Sequence, residues 1–244
     1  MKAIVTGHSR GLGAAVAAAL LERGMPMLGI SRSSSEALRT RYGHLLTEVA
    51  IDLADDATLA HWLNEGELRR FLADAGTALL INNAGMVTPV APPGAQGAAA
   101  VALAVRVNVA APLILTDAFV AHTPGVQDRR IVHISSGAAH KAYAGWSVYC
   151  ATKAALDHHA RAVKEDAVPG LRICALAPGV VDTDMQATLR ATDPDHFPAL
   201  PRFEALKRDG ELTDPAECAA RLVPYILSDA FGEAPVADLR DIAP

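Results

Sequence analysis

The sequence lacks the residues that mark several large classes of protein. Its three cysteines, Cys150, Cys174 and Cys218, are odd in number and widely spaced. They form no disulfide framework and do not have the spacing of metal ligands. Its 22 basic residues are outnumbered by 27 acidic ones and form no basic run, which argues against binding of nucleic acid or an anionic membrane surface. These absences favour chemistry on small molecules in a reducing compartment.

The start of the sequence and its apolar runs favour a protein without a leader segment or a membrane span. Met1 leads directly into an apolar run, without the charged start and cleavage site of a signal peptide. Apolar stretches that approach the ~18 residues of a membrane span are broken by a charge or a proline, as by Arg23 after the alanine-rich run. No repeat or low-complexity linker divides the chain. We therefore expect a cytoplasmic protein with a single domain over residues 1–244.

Short β-rich runs alternate with longer helical ones, which predicts an α/β fold of Rossmann type with a doubly wound, mainly parallel seven-stranded sheet and helices on both faces. The predicted strands are AIVT, MLGIS, LTEVAI, ALLIN, RIVHIS, LRICALA and a weaker one at about 236–239; the predicted helices are 11–23, 35–42, 56–74, 97–121, 148–167 and 214–228. Residues 182–212 interrupt this pattern after a strand's carboxyl end, where open α/β sheets bind ligands. We predict a substrate lid there, with an ordered surface excursion as the alternative.

A glycine-rich turn, TGHSRGLG, follows the first strand and opens an alanine-rich helix. Glycines at such a turn let the backbone approach a pyrophosphate, and the helix N-terminus offers free amides. The predicted cofactor contacts in this turn are Gly7, Ser9, Arg10, Gly11, Leu12 and Gly13.

The end of the second strand indicates which dinucleotide binds. An acid there would accept hydrogen bonds from an unphosphorylated ribose, but this chain has Ser31 and Arg32 instead, and Arg10 could approach the same position. We therefore expect NADP(H), unless both arginines are ordinary surface residues. Asp52, followed by Leu53, could accept from the adenine amino group or cap the helix that begins near Asp55.

Tyr149 and Lys153 lie four positions apart, on one face of a predicted helix. A tyrosine ordinarily titrates near pH ~10, and an ammonium at about 4 Å contributes on the order of 4 kcal/mol at an effective dielectric of 20. The pair therefore predicts a tyrosine with a lowered pKa that donates a proton. A core tyrosine beside a solvated lysine is the alternative.

Six elements in order, namely TGHSRGLG, NNAG at 82–85, Asn108, Ser136, the Tyr149 and Lys153 pair, and PGVVDT at 178–183, closely resemble the classical short-chain dehydrogenase/reductase family over essentially the whole chain. The stretches GISRSS, APGVVDTDMQ and RFEALKRDGEL further resemble the benzil reductases and sepiapterin-reductase-like enzymes, which use NADPH to reduce one carbonyl of a vicinal dicarbonyl compound. VADLRDIAP departs from the family by lacking its glycine-rich close.

The resemblance implies a role for each matching residue. Ser136, thirteen positions before Tyr149, would hold the substrate carbonyl, and Tyr149 would protonate the forming alkoxide. Lys153 would lower the pKa of Tyr149 and bind the nicotinamide ribose, and Asn108 would hold a water that relays protons to Lys153. Ser135 would point to the opposite face of its strand.

Further residues follow from these positions. The expected cofactor contacts outside the glycine turn and second strand are Asn83, Ala84, Gly85, Pro178, Gly179, Val181 and Thr183; the expected substrate contacts are His140, Tyr143, Trp146 and Met185. Tyr143 has Ser147 four positions on, so no lysine tunes it. We expect no metal site, because the neighbours His158 and His159 diverge on a helix and Asp182 and Asp184 have no carboxylate cluster beside them.

The leading hypothesis is an NADPH-dependent carbonyl reductase acting on a small vicinal dicarbonyl compound. A 3-oxoacyl thioester reductase is the nearer alternative, for which Arg129 and Arg130 are the best candidates for a carrier-docking patch. A non-catalytic NADPH-binding sensor is the alternative of a different class. We expect a homodimer or homotetramer paired through helices 97–121 and 148–167, although such helices also pack within one domain.

Overall fold

A computed structural model describes residues 1–242 and contains one seven-stranded parallel sheet with the strand order β3-β2-β1-β4-β5-β6-β7. The strands are β1 (Lys2–Thr6), β2 (Met27–Ser31), β3 (Leu46–Ala50), β4 (Thr77–Asn82), β5 (Asp128–Ile134), β6 (Leu171–Ala177) and β7 (Val236–Asp238). The helices are α1 (Gly11–Leu21), α2 (Glu36–Tyr42), α3 (Asp56–Asn64), α4 (Glu67–Leu72), α5 (Ala98–Val105), α6 (Ala111–Ala121), α7 (Ser147–Glu165), α8 (Asp184–Arg190), α9 (Leu200–Arg208) and α10 (Pro215–Leu227). The predicted doubly wound α/β fold is confirmed.

Helices cover both faces of the sheet, so the strands are nearly continuous hydrophobic runs. Every residue of β2 is buried, and β6 is buried from Ile173 to Ala177. One core layer includes Val16 and Leu20 of α1 and lies on one face. The other includes Leu115 and Phe119 of α6 and lies on the opposite face. The short seventh strand is confirmed, since β7 pairs in parallel with β6.

Two predicted helices are each divided in the structure. The helix predicted at 56–74 becomes α3 and α4, because Gly66 takes a positive φ of 77° between them. The helix predicted at 97–121 contains a π-helical turn, Arg106–Ala110, between α5 and α6. Such turns insert an extra residue into a helix and often occur at functional sites. This one contains Asn108.

Residues 98–121 form one helical segment that is long and apolar enough to cross a membrane by length and composition, and 28% of its most apolar part is buried. This differs from the expectation that a charge or a proline breaks every such run. A single helix of this kind is weak support for a membrane span, because core helices of soluble proteins meet the same criteria. Leu103 and Val105 of α5 are 39% and 44% exposed.

The segment 182–212 contains α8 and α9, which pack on a third apolar cluster. Phe197 and Phe203 from this segment contact Trp146, with ring centroids 5.0 Å and 5.4 Å from its own. Trp146 also lies 4.8 Å from the ring of Tyr149 at the start of α7. The segment is therefore built onto the sheet edge that carries the predicted site.

Candidate active site

A cavity of about 760 Å³ lies at the carboxyl ends of the strands. Its lining includes the glycine turn after β1, the NNAG run after β4, the end of β5, the start of α7 and the residues after β6. This edge is where open parallel sheets bind ligands. The fold therefore brings the distant motifs of the sequence into one cleft.

Two glycines of the turn occupy positions where a side chain does not fit. A Cβ on Gly13 would lie 2.1 Å from the carbonyl oxygen of Gly7 and 2.4 Å from Nδ2 of Asn83. Gly7 has a φ of +67°, which a residue with a side chain rarely adopts. The turn leads directly into α1, so its free amides face the cleft and can hold a phosphate.

The NNAG run is fastened to the end of β1. Asn83 donates through Nδ2 to the carbonyl oxygen of Thr6 at 2.9 Å. The backbone amides of Asn83 and Ala84 both donate to the Thr6 hydroxyl at 3.0 Å. These bonds fix Gly85 beside Lys153, since a Cβ on Gly85 would lie 3.7 Å from the lysine Nζ.

The end of β2 presents a hydroxyl and a guanidinium to the cleft. Ser31 is buried and donates to the carbonyl oxygen of Ser33, whereas Arg32 is exposed and lines the cavity. Arg10, in the glycine turn, lines the same cavity and lies 3.3 Å from Asp184 at the start of α8. This ion pair links the glycine turn to segment 182–212. Arg32 and Arg10 are therefore both placed to meet a bound phosphate.

One of the two roles considered for Asp52 is wrong. Asp55 caps α3 by accepting from the Thr58 amide at 3.0 Å, while Asp52 accepts from the Ala54 amide two residues on. Asp52 and Leu53 both line the cavity. The carboxylate of Asp52 thus lies with the cleft and not at the helix N-terminus.

Ser136, Tyr149 and Lys153 meet at one end of the cavity. Ser136 follows β5 in an extended conformation, and its Oγ accepts from the Ala138 amide at 3.2 Å. Tyr149 and Lys153 project from the first two turns of α7 and are 7% and 4% exposed. The hydroxyl of the preceding serine is engaged elsewhere, because Ser135 donates to Asp157.

The predicted lowering of the Tyr149 pKa is wrong for this structure. Burial raises the pKa of Tyr149 to about 12, and only the hydrogen bond with Ser136 acts in the opposite direction. The Lys153 ammonium donates to the carbonyl oxygen of Ile134 at 2.7 Å and lies 5.7 Å from the centroid of the tyrosine ring. Burial likewise lowers the pKa of Lys153 to about 8. Desolvation is therefore the largest influence on the pKa of both groups.

Asn108 is 1% exposed and joins two sides of the site. Its Oδ1 accepts from the Met86 amide at 2.8 Å, and its Nδ2 donates to the Met86 carbonyl oxygen at 2.8 Å and to the Thr152 hydroxyl at 3.1 Å. The side chain thus fastens the segment that follows NNAG to α7. The proton relay through Asn108 stays a prediction.

The expected substrate wall is mostly where the sequence places it. Tyr143, Trp146 and Met185 line the cavity. His140 does not, and its prediction as a substrate contact is wrong. Its Nε2 lies 2.9 Å from Oδ2 of the buried Asp157, because the turn after Ser136 directs the histidine along α7.

The loop after β6 closes the cavity on its remaining side. Pro178, Gly179, Val181 and Thr183 all line it, and Val181 forms an isolated bridge with Thr213. A Cβ on Gly11 would lie 3.3 Å from Cγ2 of Thr183, so the loop nearly touches the glycine turn.

Several lining residues were missed because they belong to no motif. Phe203 and Arg202 come from α9, and Arg202 donates to the Tyr143 hydroxyl at 3.1 Å. Met86, Val87, Leu103, Gln186 and Arg240 also line the cavity. Only the aromatic and cationic residues of RFEALKR could have signalled a lid contact in advance.

The proposed carrier-docking patch is also wrong. Arg129 and Arg130 are 5% and 4% exposed; Arg130 donates to the carbonyl oxygens of Ile226 and Ser228 and pairs with Asp128. These arginines fasten the ends of strands and do not form a surface.

Within residues 1–242, no group of three potential metal ligands occurs. His159 contacts the buried His133 at 3.0 Å, and Asp182 pairs with Lys207. All three cysteines are free. These polar residues order the structure around the cleft.

A parallel α/β sheet with a glycine turn at one end of its cleft and a serine, tyrosine and lysine at the other defines a dinucleotide-dependent oxidoreductase. The chain belongs to the short-chain dehydrogenase/reductase family: the family model for short chain dehydrogenase matches residues 1–194.

Similar proteins agree with this assignment. A benzil reductase ((S)-benzoin forming) from Bacillus cereus is 35% identical over 240 residues, which cover 96% of each chain. A sepiapterin reductase from Rattus norvegicus is 33% identical over 98% of this chain and 96% of its own. The crystal structure of a short-chain dehydrogenase/reductase from Burkholderia vietnamiensis is 48% identical, has a TM-score of 0.72 and is matched over 99% of this chain and 98% of its own.

Proposed function

We propose that this protein is an NADPH-dependent carbonyl reductase that converts one carbonyl of a small vicinal dicarbonyl compound to an alcohol. The observation that carries the proposal is the convergence of Ser136, Tyr149 and Lys153 at one end of a cleft whose other end is a glycine turn. The benzil and sepiapterin reductases among its relatives support the substrate class.

The cleft fits a phosphorylated dinucleotide. The glycine turn lines the cleft, and the amides at the start of α1 can donate to a pyrophosphate there. Arg32 and Arg10 suit a ribose 2′-phosphate, because one guanidinium group can donate two parallel hydrogen bonds to phosphate oxygens. A solved structure of a protein that is 26% identical to this chain contains bound NADP, which is consistent with NADPH as the cofactor. When bound, NADPH supplies the hydride for the carbonyl carbon.

The protein's own groups supply the proton and the oxyanion contacts. Tyr149, whose pKa is about 12, keeps its proton at neutral pH and can donate it to the carbonyl oxygen as negative charge develops there. Ser136 provides a second hydroxyl donor next to it. The Lys153 ammonium, on the same side of the cleft, favours the phenolate that remains after the transfer.

The pocket wall favours an aromatic substrate. Trp146, Tyr143 and Phe203 form edge and tilted contacts with one another, with ring centroids 5.4–6.2 Å apart. Met185 faces the same cavity from α8. Aromatic groups pack well against such a wall, and a second carbonyl can accept from a nearby donor such as Arg202. A bulky acyl carrier, in contrast, finds no docking patch in the buried Arg129 and Arg130.

Comparing benzil with acetoacetyl thioester as substrates tests this proposal. With purified protein and NADPH, consumption of the cofactor is followed at equal concentrations of each carbonyl compound. We expect a larger kcat/KM for benzil. A larger value for the thioester would favour the 3-oxoacyl reductase, and binding of NADPH with no turnover of any carbonyl in a broad panel would favour the sensor.

A further inference from the structure

A buried carboxylate lies directly behind the catalytic residues. Asp157 is four residues after Lys153 on α7, and only 1% of its surface is exposed. Its Oδ1 accepts a hydrogen bond from the Ser135 hydroxyl, and its Oδ2 lies 2.9 Å from His140 Nε2. Ser135 and His140 are the two ends of the short segment that contains Ser136. One carboxylate therefore holds both ends of this segment.

The carboxylate is kept in place at a cost. Burial raises the pKa of Asp157, while the hydrogen bond from Ser135 and electrostatic interactions with His140, Arg161 and Lys153 lower it. An apolar residue of similar size would avoid the desolvation cost at this position. A buried ionisable group that the reaction steps do not use is thus retained next to the groups that they do use.

We propose that Asp157 is a positioning residue for carbonyl reduction: it fixes segment 135–140, and with it the Ser136 hydroxyl, against the helix that carries Tyr149 and Lys153. The inference rests on the proposed roles of those three residues. It assigns His140 to the same clamp and explains why this histidine faces α7 and not the substrate.

Asp157 also acts on Lys153. Its negative charge raises the pKa of the ammonium and so opposes the lowering that burial causes. The other ionisable groups around this pair are Tyr149 and Arg161 on α7, His140 after β5, Cys174 on β6 and His133 on β5. Because the lysine is needed as a cation, activity is lost as the pH rises through its pKa. Removing the Asp157 charge shifts that loss to lower pH.

The test compares Asp157→Asn, Asp157→Leu and His140→Gln with the wild type. Asp157→Asn keeps an acceptor for Ser135 but loses the charge, and Asp157→Leu loses both. Asp166→Asn is the matched control, because Asp166 ends the same helix, is exposed and does not line the cavity. The readouts are kcat and KM for benzil, NADPH binding, the pH profile of kcat and the melting temperature.

We expect kcat to fall about 100-fold in Asp157→Leu, since a misplacement of ~1 Å costs on the order of that factor. In Asp157→Asn and His140→Gln, kcat should lie between the values of this variant and the wild type, because each keeps the contact between Ser135 and residue 157. NADPH binding should stay unchanged in all variants. The alkaline loss of activity should move to lower pH in both Asp157 variants but not in the control.

Two results would overturn the proposal. In the first, the variants melt at lower temperature but keep the wild-type kcat and pH profile, which would make Asp157 a purely structural residue. In the second, NADPH affinity falls in step with kcat, which would place the effect on the cofactor. If Asp157→Leu does not fold, Asp157→Asn and His140→Gln still test the proposal. Turnover of benzil by the wild type is measured in parallel. It shows whether the proposed function holds, independently of the role of Asp157.

Discussion

Replacing Arg32 by alanine tests how the chain distinguishes NADPH from NADH. Arg32 lines the cleft immediately after β2, where no acidic side chain is present to bind an unphosphorylated ribose. A hydrogen bond to a charged group contributes about 1.5–3 kcal/mol, and the exposure of Arg32 to solvent places it at the lower end of that range. About 1.4 kcal/mol corresponds to a factor of roughly ten in affinity.

We therefore expect the KM for NADPH to rise about tenfold in Arg32→Ala, while the KM for NADH does not change. Steady-state rates are measured with both cofactors at one saturating benzil concentration. Arg41→Ala serves as the control, because Arg41 is exposed, pairs with Glu22 and does not line the cavity. Equal changes for the two cofactors, or no change for either, would refute the assignment of Arg32 to the 2′-phosphate.

Two further predictions concern the glycine turn and the buried histidine. Gly13→Ala should abolish measurable NADPH binding in a fluorescence titration, because its Cβ would lie 2.1 Å from the Gly7 carbonyl oxygen. Gly125→Ala is the control, since a Cβ at that position would have nothing within 4 Å. Unchanged binding in Gly13→Ala would contradict this account of the turn. Burial, with the charges of His159 and Lys153, lowers the pKa of His133 to about 3, so its contribution to stability is present above pH ~6.5 and is lost as the pH falls toward 3. Between pH 7 and pH 4 the wild type should lose about 3 kcal/mol more unfolding free energy than His133→Leu, as measured by denaturant titration. Equal losses in the two proteins would show that His133 is not held in a neutral, buried form.

The features that the sequence predicts well depend on local patterns. The strands MLGIS and LRICALA are found with their predicted bounds, because runs buried on both faces and bounded by turns are distinctive. The glycine turn was predictable for the same reason, since it joins a strand to a helix within a few residues. The π-helical turn at Arg106–Ala110 has no such local signal, and nothing in the sequence marked it.

The wrong predictions concern features that tertiary placement decides. Arg129 and Arg130 look like a basic surface in the sequence, yet both are buried because they start a central strand and bond to distant carbonyl oxygens. His140 lies between two active-site positions in the sequence, but a buried carboxylate on α7 draws it out of the cavity. The pKa of Tyr149 depends on its burial, which the spacing to Lys153 does not reveal.

The central claim is that Tyr149 delivers the proton when a dicarbonyl compound is reduced. A single-turnover experiment with excess protein, NADPH and benzil measures that step directly in the wild type and in Tyr149→Phe, and Tyr143→Phe is the matched control at the cavity wall. Tyr149→Phe should bind NADPH normally and reduce benzil about 10²–10⁴-fold more slowly, the range typical of a lost general acid. A rate equal to that of the wild type would contradict the account.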